Sequence, residues 1–280
     1  MAEQTGLSIE LNCDRYVSLL SKLIGETEFL QNNPPKFVPQ EDRAIKHLLD
    51  VLNPHSTTNG GPLTLDHVAY VEGRGNLIIG YSPPSATQGT VSFVGSHLDC
   101  VPANPETWER NPFKLTQEGD KLYGRGTTDC LGHVALITDL FIQLAEKKPP
   151  LKRSVYFSVL NTRGPCSKYS FTNSVTGEEK TGKIEFKLTE EIFKGIACKL
   201  DSPGFIHLNE ATKEVIGSST PYSDCGSLPL VADLQEAGFD VQITGYGHSD
   251  VYHGDNEYCS LSCMQSAMKI LSRVLDKFNQ

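Results

Sequence analysis

The chain has 280 residues, with 25 Lys+Arg against 34 Asp+Glu and a formal net charge of −9. Its 38% hydrophobic and 21% charged residues are ordinary for a soluble globular protein and argue against a disordered chain. The acidic balance argues against a general DNA or RNA binder, which needs a basic footprint. No stretch approaches the roughly 20 consecutive apolar residues of a membrane span. Met1 to Cys13 mixes Glu3, Gln4 and Glu10 among its apolar residues, without the basic start and unbroken apolar run of a signal peptide. The expected location is therefore cytoplasmic. Eight cysteines are spread singly, with no CxxC pair, and read as reduced thiols rather than a disulfide framework.

No internal repeat of solenoid period is visible. In chain order, Asp14 to Leu30 reads as an amphipathic helix with Val17, Leu20, Leu23 and Ile24 on one face and Asp14 as its cap. Glu41 to Leu52 reads as a second, striped by Ile45, Leu48, Leu49 and Leu52 and stopped by Pro54. Three β-rich runs follow: Leu65 to Val71, Asn76 to Tyr81, and Thr90 to Gly95. The third contains VSFVG, which suits a strand buried on both faces. A helix over Gly132 to Glu146 leads to a further buried strand, Ser154 to Leu160. Strands alternating with helices at this spacing predict an α/β fold.

From Asn161 to Lys183 the texture becomes polar and loses periodicity, unusual inside a compact domain. Beyond it, a strand is expected over Ile184 to Leu188 and helices over Ser202 to Ile216 and Ser227 to Ala237. A short strand over Asp240 to Thr244 and a last helix over Ser260 to Phe278 complete the chain.

Three segments could carry chemistry. Gly95-Ser96-His97-Leu98-Asp99 follows a buried strand, and the carboxyl ends of strands are where α/β sheets place ligands. A neutral imidazole binds transition metals, and a carboxylate two residues on can hold its other nitrogen. An ordinary buried polar pair is the plainer reading of that segment alone. The second segment, Leu122 to Asp129 (LYGRGTTD), puts Asp129 near a helix N-terminus, where the dipole favours a carboxylate. A simple cap would explain Thr128 or Asp129 but not the preceding GRG. The third, Tyr252 to Glu257 (YHGDNE), is either a capping loop or a further donor site.

In combination, GSHLD, WERNPF (Trp108 to Phe113), GDKLYGRGTTDCLGHVAL and YHGDNEY resemble the M20 family of metallopeptidases and amidohydrolases. QNNPP (Gln31 to Pro35), ACKLDSPGF (Ala197 to Phe205) and GHSDVYHGDNEYC resemble the eukaryotic acetylornithine deacetylase group within it. The resemblance implies a three-layer α/β/α zinc-peptidase-like domain with a mixed sheet. It implies a hydrolase with two divalent metal ions, zinc or cobalt, and a small acetylated amino acid as substrate, with no nucleic acid or membrane partner. By position, His97 matches the ligand of the first metal, Asp129 the carboxylate bridging both, and His253 the ligand of the second. Asp99 matches the carboxylate that orients His97. Two bridged ions acidify a water and polarise a scissile carbonyl, and a general base takes the proton.

One part of the family pattern is missing. Where the family has an adjacent Glu pair, the base and a further ligand, this chain reads Arg163 and Gly164. The phrase TRGPCSKY resembles one that relatives carry near the end of their lid domain. This implies a large internal piece missing, with a junction near Leu160 to Arg163. On this reading residues 1–160 are the first part of the catalytic domain, 161–200 a remnant of the lid, and 201–280 the rest of the catalytic domain. The lost piece would include the dimerisation surface, which leaves homodimerisation without its usual basis. Glu178-Glu179 and Glu190-Glu191 read as solvated pairs rather than replacements, His133 as a local hydrogen-bonding residue, and His248, in GYGHSD close to the site motif, as a further candidate for the site. Two functions follow: an amidohydrolase of the acetylornithine deacetylase type, or a non-catalytic remnant or splice product of one. An M20 aminoacylase or dipeptidase is the alternative among enzymes.

Overall fold

A computed structural model describes residues 7–33, 36–160, 198–221 and 231–280. Asn12 caps the first helix, α1 (Cys13–Gly25), accepting the Arg15 backbone N–H at 3.1 Å. The helix stops earlier than its apolar stripe suggests, and its cap is Asn12 rather than Asp14. Gly25 weakens the last turn, and the Thr27 hydroxyl donates to the Ile24 carbonyl at 2.7 Å, satisfying a terminal acceptor. Helix α2 (Glu41–Leu52) keeps its expected bounds.

Strands β1 (Leu63–Val71), β2 (Arg74–Tyr81), β3 (Thr90–His97) and, later, β6 (Ser154–Leu160) form one sheet. Its order is β1-β2-β6-β3. β3 runs parallel to β6 and the other pairs are antiparallel, so the sheet is mixed as expected. Between β3 and β6 lie two short strands, β4 (Thr116–Glu118) and β5 (Lys121–Tyr123), and helix α3 (Leu131–Lys147). α3 is apolar on nearly every side and is buried from Val134 to Ala145, as expected for a helix central to its layer.

Leu77, Ile79, Tyr81, Val155, Phe157 and Val159 project from the sheet into one core with α1, α2 and α3. Each buried aliphatic side chain here contributes about 1.5–3 kcal/mol relative to exposure. The opposite face is more open among the described residues: Val94 is 48% and Tyr70 88% exposed. The expectation that VSFVG is buried on both faces is therefore corrected. Val91 and Phe93 pack on the core, but Thr90, Ser92 and Val94 alternate outward. Among the described residues β3 pairs only with β6 and lies at the sheet edge, and none of them covers its outward face there.

Later in the chain come α4 (Pro203–Ile216), α5 (Val231–Glu236), β7 (Tyr258–Ser260) and α6 (Leu261–Phe278). Residues 240–244 form no strand, contrary to expectation. The Asp240 carboxylate is engaged instead at the α4 N-terminus, accepting from Ser202 Oγ at 2.7 Å and the Gly204 N–H at 2.6 Å. The expected strand at 184–188, the residues Arg163 and Gly164, and both downstream Glu pairs lie outside the described residues. α6 joins the main core through Met264, Ala267, Met268, Leu271 and Leu275.

The second sheet, β4-β5-β7, positions the functional loops. Tyr123, just before the GRG sequence, pairs with Tyr258, just after Glu257. Two loops 130 residues apart thus emerge side by side.

Candidate metal centre

His97 ends β3, Asp129 lies two residues before the start of α3, and His253 lies in the loop before β7. The structure brings all three together. Asp129 offers one carboxylate oxygen to each ring: Oδ1 lies 3.2 Å from His97 Nε2, and Oδ2 lies 2.7 Å from His253 Nε2. The His97 ring is mostly enclosed, whereas His253 is half exposed. His253 itself adopts a left-handed backbone conformation, φ 62°, uncommon for a residue with a Cβ.

The opposite edge of His97 is held by Asp99. His97 Nδ1 lies 2.8 Å from the Asp99 backbone carbonyl and 3.3 Å from Asp99 Oδ1. Asn32 Nδ2 donates to the other Asp99 oxygen at 2.7 Å. Two acceptors at Nδ1 fix the proton there and leave the Nε2 lone pair toward Asp129 in the neutral ring. Burial alone would lower the His97 pKa, but Cys130, Asp129 and Asp99 together raise it well above the ordinary imidazole value. Burial would likewise raise Asp129, but the two imidazoles hold its carboxyl below the usual range.

Asp129 is itself held from behind. Glu257, 1% exposed, accepts the backbone N–H groups of Asp129 at 3.0 Å and Thr128 at 2.9 Å through Oε1. Through Oε2 it accepts the Gly126 N–H at 3.0 Å and the Arg125 guanidinium at 2.8 Å. Arg125 is 2% exposed and lies over the Trp108 ring, 5.1 Å from its centroid. It also reaches the carbonyls of Pro102 and His253 at 3.5 Å. Gly126 has φ 87°, and a Cβ there would meet Leu131 at 3.0 Å, so glycine suits this crowded turn.

The sequence motifs thus resolve into two tiers. His97, Asp129 and His253 face one another, while Glu257, Arg125, Trp108 and Asn32 brace them. Sequence patterns assign no role to Arg125, Trp108 or Asn32, and mark Glu257 only by its resemblance to a family residue near His253. His133 and His248 stand apart from the cluster. His133 Nε2 accepts the Tyr246 N–H at 2.9 Å, and burial lowers its pKa. His248 Nε2 pairs with Ser260 Oγ at 2.8 Å.

Imidazole nitrogen and carboxylate oxygen suit a borderline divalent metal. Donors bound at about 2.0–2.2 Å to one tetrahedral ion lie about 3.3 Å apart, close to the His97–Asp129 spacing. The donor types therefore fit. Among the described residues, one group of three or more donors lies within 4.8 Å of one another: His97, Asp129 and Cys130.

Residues 93–160 match the model of peptidase family M20/M25/M40. The acetylornithine deacetylase of Dictyostelium discoideum is 34% identical, over 96% of this chain and 98% of that protein. That of Arabidopsis thaliana is 33% identical, over 96% and 97% respectively. The chain belongs to peptidase family M20/M25/M40. It is thereby placed among metal-dependent amide hydrolases. The fold agrees: human carnosine dipeptidase 1 superposes with a TM-score of 0.67 at 12% identity, covering 96% of each chain.

Two features of these matches bear on the expected junction near Leu160 to Arg163. The Dictyostelium match runs over 437 residues against 280 here, so at least 157 of its positions (437 less 280) have no counterpart in this chain. The family match also ends at Leu160, at the carboxyl end of β6.

Proposed function

We propose that this chain carries an acetylornithine deacetylase-type centre that holds two divalent ions, zinc or cobalt. In that centre His97 and His253 each take one ion and Asp129 bridges them. The substrate is N2-acetylornithine and the products are ornithine and acetate, a step of arginine biosynthesis. The observation that carries the reading is the division of the Asp129 carboxylate, one oxygen toward each Nε2. Relatives at 33–34% identity that share this whole span are acetylornithine deacetylases, which supports the substrate class.

When bound, the ions supply a Lewis acid and a water acidic enough to ionise near neutral pH. The chain's own residues do the positioning. Asp99 keeps the His97 proton on Nδ1, so that Nε2 can donate its lone pair. Glu257 and Arg125 hold the Asp129 backbone and the His253 loop in one frame. Proton transfer is the weak point: Arg163 and Gly164 stand where the family places its base and a further ligand. We read residues 1–160 and 201–280 as the catalytic domain and 161–200 as a lid remnant; the end of the family match at Leu160 and the at least 157 unmatched positions of the Dictyostelium relative support a shortened lid. The chain thus retains the metal-holding half of the machinery, and its hydrolysis is slow. The six cysteines among the described residues are free, which suits the cytoplasm.

Acetate release over long incubations at high protein concentration tests this reading. N2-acetylornithine should be cleaved in preference to N2-succinyl-diaminopimelate and simple dipeptides, with added Zn²⁺ or Co²⁺. Preference for a dipeptide would replace the reading with a peptidase.

A further inference from the structure

We infer that Cys130 Sγ is the third protein ligand of the ion held by His97 and Asp129. The inference rests on the metal reading above and names a donor that reading lacks. With His97 and one Asp129 oxygen alone, that ion has two protein ligands, whereas catalytic zinc sites supply three and keep one position open. Among the described residues the side chain completing such a set is Cys130: its sulfur, a His97 nitrogen and an Asp129 oxygen lie within 4.8 Å of one another. A shift of about an ångström gathers them around one ion, whose Zn–S bond is about 2.3 Å.

The surroundings of the sulfur suit that role. Its side chain is half-buried rather than sealed in the core. The His97 backbone N–H points at Sγ from 3.1 Å, a donor that stabilises a thiolate. The thiol proton is directed to the His97 carbonyl, 3.3 Å away. On metal binding the S–H bond breaks, the proton leaves to solvent and the sulfur lone pair forms the metal bond, while the N–H···S contact stays. His97 would then serve the site twice, by its ring and by its backbone. A His/Asp/Cys set with one open position prefers thiophilic ions such as Zn²⁺ and Co²⁺ over Mg²⁺ or Mn²⁺. It also makes the site sensitive to oxidation of Cys130, since a bound or free thiolate is the form that peroxide attacks.

The test is optical titration of the full chain with Co²⁺, with calorimetry on the same samples. The expected result is a near-ultraviolet thiolate-to-cobalt charge-transfer band that vanishes in Cys130→Ser and in His97→Ala. Affinity in Cys130→Ser should fall at least about tenfold, as loss of even an outer partner does. As a check independent of any variant's folding, Zn²⁺ should slow maleimide labelling of wild-type Cys130 and leave Cys263 unaffected. Co²⁺ binding that needs His97 but shows no such band would overturn the Cys130 assignment and leave the metal reading standing. A band that persists in Cys130→Ser would also overturn it. Absence of any Co²⁺ binding at millimolar metal would overturn both.

Discussion

Glu257 accepts the backbone N–H of Asp129 at 3.0 Å while its other oxygen holds the buried Arg125 guanidinium at 2.8 Å. One carboxylate thus joins the loop that carries His253 to the loop that carries Asp129. Removing it would leave three backbone donors without an acceptor and take from Arg125 its 2.8 Å carboxylate partner, leaving it the carbonyls of Pro102 and His253 at 3.5 Å. Glu257→Ala should cost about 3–5 kcal/mol, the usual result of breaking a buried ion pair from one side. Urea unfolding of the metal-free protein measures it, and a loss below about 1 kcal/mol would contradict the bracing role.

Asn32 and Asp99 brace the other side of the cluster. Loss of such outer partners commonly lowers metal affinity about 10–100-fold. Asn32→Ala should fall near the lower end, because the Asp99 backbone carbonyl, 2.8 Å from His97 Nδ1, survives the substitution. Asp99→Ala removes the carboxylate and should fall nearer the upper end. Isothermal titration with Zn²⁺ orders the two variants, and equal, wild-type affinities would show that the backbone carbonyl alone orients the ring.

The pKa shifts give a pH dependence with a definite sign. The His97 pKa is raised on folding, so its contribution to the metal-free protein is complete below the unfolded value of about 6.5 and fades as pH rises through the folded value. Asp129 is lowered, so its contribution is complete above about 3.9 and fades as pH falls through the folded value. Both are therefore present between about pH 4 and 6.5. Within that window wild type should exceed His97→Ala in metal-free stability by its widest margin. Metal has the opposite preference, because it needs the Nε2 lone pair that the proton occupies. Zn²⁺ affinity should rise about tenfold per pH unit for each proton displaced, at pH values where His97 is still protonated. Titrations at pH 6 and 7 check this, and a pH-independent affinity would contradict it.

Sequence periodicity revealed most of the frame. α2 kept its bounds because its apolar stripe is regular and Pro54 follows it. β6 kept its bounds because an unbroken run of β-formers lies between polar turns. Burial of β3 could not be read the same way. VSFVG would suit an interior strand, but its exposure depends on whether another strand or helix covers it, and that is set by residues distant in sequence. The site divided similarly. His97, Asp129 and His253 were legible because each sits in a motif at an element end. Glu257 was obscure because its four partners lie about 130 residues upstream and a buried carboxylate leaves no periodic trace. Cys130 was obscure for a related reason, since only folding brings its sulfur to the His97 backbone.

The central claim is that a metal-holding cluster remains where the proton-transfer carboxylate is absent. The most direct measurement is the turnover number for N2-acetylornithine with saturating Co²⁺. Loss of a general base alone typically costs about 10²–10⁴-fold. The expected turnover is lower than the common enzyme range of about 1–10³ s⁻¹ by at least that factor, with metal still bound after dialysis. Turnover within that range, abolished by His97→Ala, would contradict the claim and show that another residue of this chain serves as the base.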